Sequence, residues 1–147
     1  MERWILGLAV ALAITQHAGA YPLEANQIRV IDGDTIAADG RTVHLVGFIA
    51  PEMHSAQCPA ERELGVKASK RMRGLILAGG LDYSPASCPC PVTLLGKWVC
   101  KFARTCGALK AKGQDVGDIL VAEGLAIPFL CDAMECRKAP KPWCRSS

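Results

Sequence analysis

Residues 27–46 alternate short apolar runs with turn residues. The runs at 28–31, 35–38 and 41–46 are separated by Asp32-Gly33-Asp34 and by Asp-Gly at 39–40. Asp-Gly between such runs is a strong hairpin signal. The pattern therefore predicts three antiparallel strands. In the third strand, alternation places two side chains on one face and three on the other: Val43 and Leu45 against Thr42, His44 and Val46.

Two later segments have the signals of amphipathic helices. Pro59 stands at the start of the first, and a glycine pair at 79–80 follows its last turn. The second is predicted to begin with Asp115 as N-cap and Asp118 three residues on, a capping-box-like arrangement, and to end at Gly124. The apolar face of the first helix is predicted from five residues at spacings of three and four: Leu64, Ala68, Met72, Leu75 and Ile76.

The segments between and after these elements have less regular patterns. Residues 81–95 carry Pro85 and a Cys-Pro-Cys unit at 88–90 without helical or strand period, which predicts a loop. Residues 98–109 are strand-like, and Lys112-Gly113 supplies a turn. The Pro- and Cys-rich residues 131–147 predict an irregular tail held by disulfide bonds. A chain of 147 residues, half of them apolar, is expected to form one domain.

The N-terminal segment has the pattern of a secretion signal. Arg3 precedes an apolar run at 4–14, and the small triplet 18–20 follows. Gln16 and His17 interrupt the run before it reaches the roughly 20 apolar residues that a membrane anchor needs. We therefore expect residues 1–20 to be a signal peptide, and the mature protein to be exported to the periplasm or the medium with no stable membrane association.

Export changes the interpretation of the eight cysteines, all of which lie beyond residue 20. An even number in an oxidising compartment indicates disulfide bonds, and eight cysteines allow 105 pairings, among which the sequence does not choose. The alternative is a zinc site formed by the four central cysteines, although their spacing lacks paired Cys-x-x-Cys units. The disulfide candidates are Cys58, Cys88, Cys90, Cys100, Cys106, Cys131, Cys136 and Cys144, and the zinc alternative involves Cys88, Cys90, Cys100 and Cys106.

Acidic and basic residues suitable for phosphodiester chemistry surround the predicted hairpins. Asp32 and Asp34 lie at a turn, Glu52 follows a proline, and His44 and Arg104 supply bases. Hydrolysis of a phosphodiester needs carboxylates to hold a cation and to position water, and positive groups for the developing charge. Turn chemistry alone also explains Asp-Gly-Asp. The formal net charge of +3 tolerates a polyanion without requiring one.

The order of four motifs resembles staphylococcal-nuclease-like (thermonuclease) domains over roughly residues 29–129. The motifs are Val-Ile-Asp-Gly-Asp-Thr at 30–35, Val-Gly-Phe-Ile-Ala-Pro-Glu at 46–52, Phe-Ala-Arg at 102–104, and the segment 113–126. The resemblance implies an α+β, mainly β fold, a five-stranded OB-type β-barrel with two or three packed helices. Here that domain would span residues 27–130, with a disulfide-stapled loop and the tail at 131–147.

The resemblance also implies a calcium-dependent nuclease acting as a monomer on single-stranded or frayed DNA or RNA. Asp34 matches a calcium-binding aspartate, Glu52 the glutamate that positions or activates water, and Arg104 a phosphate-binding arginine. Other positions depart from the family pattern: His44 replaces a phosphate-binding arginine, Ile49 a second calcium-binding aspartate, and Ala50 a threonine.

These departures leave two functions open, besides a disulfide scaffold unrelated to nucleases. Ile49 offers no ligand, so calcium affinity should fall, while magnesium or manganese needs fewer protein carboxylates. His44 lacks the guanidinium fork that grips two phosphate oxygens. The chain is therefore either a metal-dependent phosphodiesterase with an altered site that uses Glu52, Arg104 and His44, or a catalytically impaired module that binds nucleic acid or a protein.

Overall fold

The computed structural model describes residues 19–88, 105–129 and 141–144. Most of the predicted signal peptide lies outside these ranges, as do Phe102, Arg104 and four of the cysteines. The strands are β1 (Tyr21–Leu23), β2 (Ile28–Asp32), β3 (Thr35–Ala38), β4 (Arg41–Leu45), β5 (Gly47–Ile49), β6 (Leu81–Ala86), β7 (Thr105–Ala111), β8 (Gln114–Asp115) and β9 (Ile127–Phe129). The α-helices are α1 (Pro59–Leu77) and α2 (Val116–Ala122).

The strands form one large curled sheet and one small sheet. Within the described ranges, the large sheet runs β1-β6-β7-β4-β3-β2, with β8 paired to β7, and the small sheet pairs β5 with β9. Only β4 and β7 run parallel among the pairs of these sheets. The fold is α+β and mainly β, a half-barrel compatible with an OB-like fold. The predicted count of five strands is not confirmed, because the large sheet holds seven in the described part of the chain.

Both predicted hairpins are present. The β3–β4 turn has Asp39 at φ 50° and Gly40 at φ 72°, the left-handed backbone that a two-residue hairpin turn requires and that Asp-Gly accepts readily. In β4, Val43 and Leu45 are buried while Thr42 is exposed and His44 is half-buried, so the predicted alternation is confirmed.

The predicted helices are also confirmed, with a small shift of the buried face of α1. Pro59 begins α1, and Ala78 caps it before the glycine pair at 79–80. The face that packs on the sheet includes Ala68 and Met72, both fully buried, whereas Leu64 lies at its margin and keeps part of its surface exposed. In α2, the Asp115 side chain accepts a hydrogen bond from the Gly117 N–H at 2.8 Å, as the N-cap prediction requires.

The prediction of a loop from residue 81 was wrong for its first part, which is strand β6. Leu81 and Tyr83 are buried while Asp82 is exposed, so a period of two is present. Sequence analysis predicted a loop here because Pro85 lies within this segment, and proline usually occurs at strand edges or in loops. Pairing with β7 on one side and β1 on the other keeps this segment extended. Residues 87 and 88 form neither helix nor strand, as predicted, and the predicted loop from Pro89 onward lies outside the described residues.

Candidate functional site

The β2–β3 turn, the segment after β5 and the helix α1 meet at one place. Gly33, in the turn, allows this approach: a Cβ there would lie 2.7 Å from the Cβ of Ala50 and 2.9 Å from that of Ala68. Real Cβ atoms do not come so close, so glycine is required for this packing. The contact brings Asp34 against residue 50, from which the chain runs on to Glu52.

Asp34 uses both carboxylate oxygens inside the protein. Oδ2 accepts a hydrogen bond from the Ala50 N–H at 2.8 Å, and Oδ1 accepts one from the Thr35 hydroxyl at 2.9 Å. Burial raises the pKa of Asp34, although these hydrogen bonds and the nearby His44 act in the opposite direction. The side chain therefore joins the turn to the segment after β5, and folding penalises its charged form.

Thr35 links His44 to Asp34, because its hydroxyl group contacts both side chains. The β3–β4 register places Thr35 opposite His44, and the Thr35 Oγ1 lies 3.2 Å from His44 Nδ1. An ionised Asp34 can only accept, so the single hydroxyl hydrogen of Thr35 points to Asp34. The Thr35 oxygen then accepts from His44, which places a hydrogen on Nδ1 of the ring. Thr35 thus orients His44 and selects its tautomer, a role that the sequence analysis missed.

Two further carboxylates hold the backbone after residue 50. Asp32 Oδ1 accepts from the Met53 N–H at 3.2 Å. Glu61, at the start of α1 and 0% exposed, accepts from the Gln57 N–H at 2.7 Å through Oε2 and from the Glu52 N–H at 3.4 Å through Oε1. Three N–H groups of this segment, those of Glu52, Met53 and Gln57, are therefore paired with acidic side chains.

The Glu52 side chain stands among these carboxylates and remains 37% exposed. Its Oε1 lies 3.9 Å from the Lys141 Nζ. Burial raises the pKa of Glu52, the Lys141 ammonium acts against this, and the charges of Asp32, Asp34 and Glu61 add to it. A partly exposed carboxylate with a raised pKa is the type of group that accepts a proton during catalysis.

Two disulfide bonds are present among the described residues, Cys58–Cys144 and Cys88–Cys106. All four described cysteines are therefore oxidised, and Cys88 and Cys106 do not serve as zinc thiolates. Cys58 and Cys144 lie beside Glu61 in a group with metal-like spacing, but their sulfurs are bonded to each other. Disulfide bonds fit an extracellular or periplasmic location. Cys90, Cys100, Cys131 and Cys136 lie outside the described ranges.

The structure brings three of the sequence-predicted site residues together: Asp34, His44 and Glu52. Arg104 lies outside the described residues, so its role stays a prediction. Glu61 and Lys141 belong to the same cluster, and neither was predicted from the sequence to be a site residue. A glutamate near the start of an amphipathic helix normally faces solvent, and the place of Lys141 depends on a disulfide pairing that sequence does not reveal.

The described donors fit a calcium ion poorly. Calcium prefers six to eight oxygen ligands. Ile49, at the position of the second aspartate of the resemblance, lies in β5 opposite Ile127 and supplies no oxygen. Both Asp34 oxygens already accept hydrogen bonds, and an ammonium group stands near Glu52. The predicted divalent cation therefore stays a prediction, and no step of the chemistry below is assigned to it.

No family model matches the chain. The chain is 34% identical over 127 residues to the succinoglycan biosynthesis protein ExoI of Rhizobium meliloti (strain 1021), a match that covers 85% of this chain. The chain spans only 62% of the length of that protein. Among the described residues, no helix is both long and apolar enough to cross a membrane.

Proposed function

We propose that this protein is an exported, monomeric hydrolase of nucleic-acid phosphodiesters, with an OB-type barrel of the staphylococcal-nuclease-like family and an altered active site. One observation carries the proposal: the fold gathers Asp34, His44 and Glu52, which are distant in sequence, around one partly exposed carboxylate. The motif resemblance assigns these positions to metal binding, phosphate binding and activation of water, respectively.

In this proposal Glu52 is the general base. Water attacks the phosphorus, a water proton passes to the Glu52 carboxylate, and the bond from phosphorus to the sugar oxygen breaks, with that oxygen taking a proton from solvent and leaving as a hydroxyl. The raised pKa of Glu52 makes it a better proton acceptor than an ordinary glutamate. His44, oriented by Thr35, donates from Nε2 to a phosphate oxygen in its doubly protonated form, and Arg104 is proposed as the second phosphate-binding group.

The test follows degradation of single-stranded DNA and RNA by the oxidised chain, with calcium, magnesium, manganese or a chelator. We expect cleavage that Glu52→Gln lowers by about 100-fold or more, as loss of a general base does. Glu63→Gln is the matched control, because Glu63 is an exposed residue of α1 that pairs with Lys67. Cleavage that survives Glu52→Gln would refute the assignment of the base. Succinoglycan is included as a substrate because the similar protein is named for its biosynthesis.

A binding module without catalysis is the second candidate, and the state of Asp34 favours it. Both oxygens of Asp34 are engaged in holding the turn and the segment after β5, and Ile49 provides no further ligand. In this case the folded protein binds single-stranded DNA, measured by fluorescence anisotropy, without cleaving it. Metal-dependent cleavage should then appear in an Ile49→Asp, His44→Arg double variant.

A further inference from the structure

Lys141 places an ammonium group inside the acidic cluster of the candidate site. Its Nζ lies 3.7 Å from Glu61 Oε1 and 3.9 Å from Glu52 Oε1, and its side chain is 31% exposed. Glu61 is 0% exposed. A buried carboxylate needs a compensating positive charge as well as hydrogen bonds. Within the described part of the chain, Lys141 supplies a cationic side chain within 4 Å of Glu61.

A disulfide bond holds Lys141 near Glu52 and Glu61. Cys144, three residues further on, is bonded to Cys58, the N-cap residue of α1. Glu61 lies on the first turn of the same helix. The bond joins positions 86 residues apart, so the chain near Lys141 is held against the start of α1 and the ammonium is kept near both carboxylates.

We propose that Lys141 is the resident cation of the candidate site, and that beside Glu52 and Glu61 it supplies part of the positive charge that a divalent metal ion would otherwise supply. The proposal accounts for the poor set of calcium ligands. If a lysine of the chain supplies positive charge to the site, no oxygen ligand for a metal ion is required at the position of Ile49. It deepens the proposed function and rests on it for the use of the site. The contacts themselves, and the test below, do not depend on cleavage of nucleic acid.

The proposal is tested by thermal unfolding of the oxidised chain in chelator and in millimolar calcium, magnesium or manganese, at matched ionic strength. A ligand that binds the folded state raises Tm. We expect no specific effect of these ions on the wild type. Lys141→Met should lower Tm by about 5 °C or more in chelator, and divalent ions, but not sodium chloride, should restore at least half of that loss.

Two controls separate this role from an ordinary surface charge. Lys141→Arg keeps the cation and should behave like the wild type. Lys67→Met removes an exposed ion pair, in which the side chains of Lys67 and Glu63 are 60% and 72% exposed. It should change Tm little, and divalent ions should not alter the Tm of this variant. The proposal would be overturned if divalent ions raised the Tm of the wild type as much as that of Lys141→Met, or if Lys141→Met left Tm unchanged.

The tether is tested by a Cys58→Ser, Cys144→Ser double variant. Divalent ions should raise the Tm of this variant as much as they raise that of Lys141→Met. Adding Lys141→Met to it should change this rise in Tm by less than about twofold, because the effects of coupled sites are not additive. A double variant as indifferent to divalent ions as the wild type would show that Lys141 reaches the cluster without the disulfide. Because none of these measurements uses nucleic acid, failure of the nuclease assay leaves their outcome intact.

Discussion

The Asp34 carboxylate is held inside the protein at a cost in free energy. Its carboxylate joins the β2–β3 turn to the backbone at Ala50, yet burial raises its pKa, so folding disfavours its charge. Asparagine would keep an acceptor for the Ala50 N–H and add a donor toward Thr35. A structural role alone therefore does not explain the acid, whereas the proposed function gives a reason for its charge.

The first prediction is that Asp34→Asn stabilises the protein at neutral pH. When the pKa of a carboxyl group is higher in the folded than in the unfolded protein, its ionised form lowers the free energy of unfolding. This loss disappears as the pH falls from the folded-state pKa to the unfolded-state pKa, because the group is then protonated in both states. The variant should therefore melt a few degrees above the wild type at pH 7, and the gap should close toward about pH 4. Thermal unfolding across this range measures it.

Asp39→Asn is the matched control for this prediction, since Asp39 is exposed at the β3–β4 turn with φ 50°, which asparagine tolerates. It should leave Tm nearly unchanged throughout. A lower Tm for Asp34→Asn at pH 7, or a gap that widens in acid, would mean that the hydrogen bonds outweigh burial at this site. The same variant is expected to lack cleavage if Asp34 also takes part in the chemistry.

At the scale of elements, sequence predicted what local signals determine. Asp-Gly turns marked β2, β3 and β4, while Pro59 and Asp115 marked the starts of the helices. What it missed depends on distant partners. Strand β6 is extended because β1 and β7 flank it, and the burial of Glu61 depends on the backbone that folds over the start of α1. Neither partner is visible within a local window of sequence.

The second prediction concerns the packing of α1 against the site backbone. A Cβ at Gly65 would lie 2.7 Å from the Glu52 carbonyl oxygen and 2.8 Å from that of Pro51. Gly65→Ala must displace the segment that carries Glu52, because backbone cannot yield as a flexible side chain does. We expect destabilisation of about 1–3 kcal/mol, measured by denaturant unfolding, together with loss of any cleavage.

Gly74→Ala provides the control on the same helix, where a Cβ would meet nothing within 4 Å. Helix propensity alone then applies, and alanine should stabilise the protein by about 0.5–1 kcal/mol. The two substitutions are chemically identical and should have opposite signs. Equal effects would show that the segment after β5 does not press against α1.

At the scale of the whole molecule, the two disulfide bonds close loops of very different length, 86 residues for Cys58–Cys144 and 18 for Cys88–Cys106. Cross-linking lowers the entropy of the unfolded chain more when the loop is longer. Loop-closure entropy gives about 4.6 kcal/mol for the first bond and about 3.2 kcal/mol for the second. Sequence could indicate that disulfides exist, but not that one of them spans most of the domain.

The third prediction is therefore an order of stabilities: replacing Cys58 and Cys144 by alanine should lower the free energy of unfolding more than replacing Cys88 and Cys106. Loss of the Lys141 contacts adds to the first effect. Burial works against the expected order, because Cys106 is 5% exposed and its truncation removes packing in the core. Denaturant unfolding of both double variants under non-reducing conditions measures the difference. If the Cys88, Cys106 variant is the less stable, local packing rather than chain entropy determines how these bonds stabilise the fold.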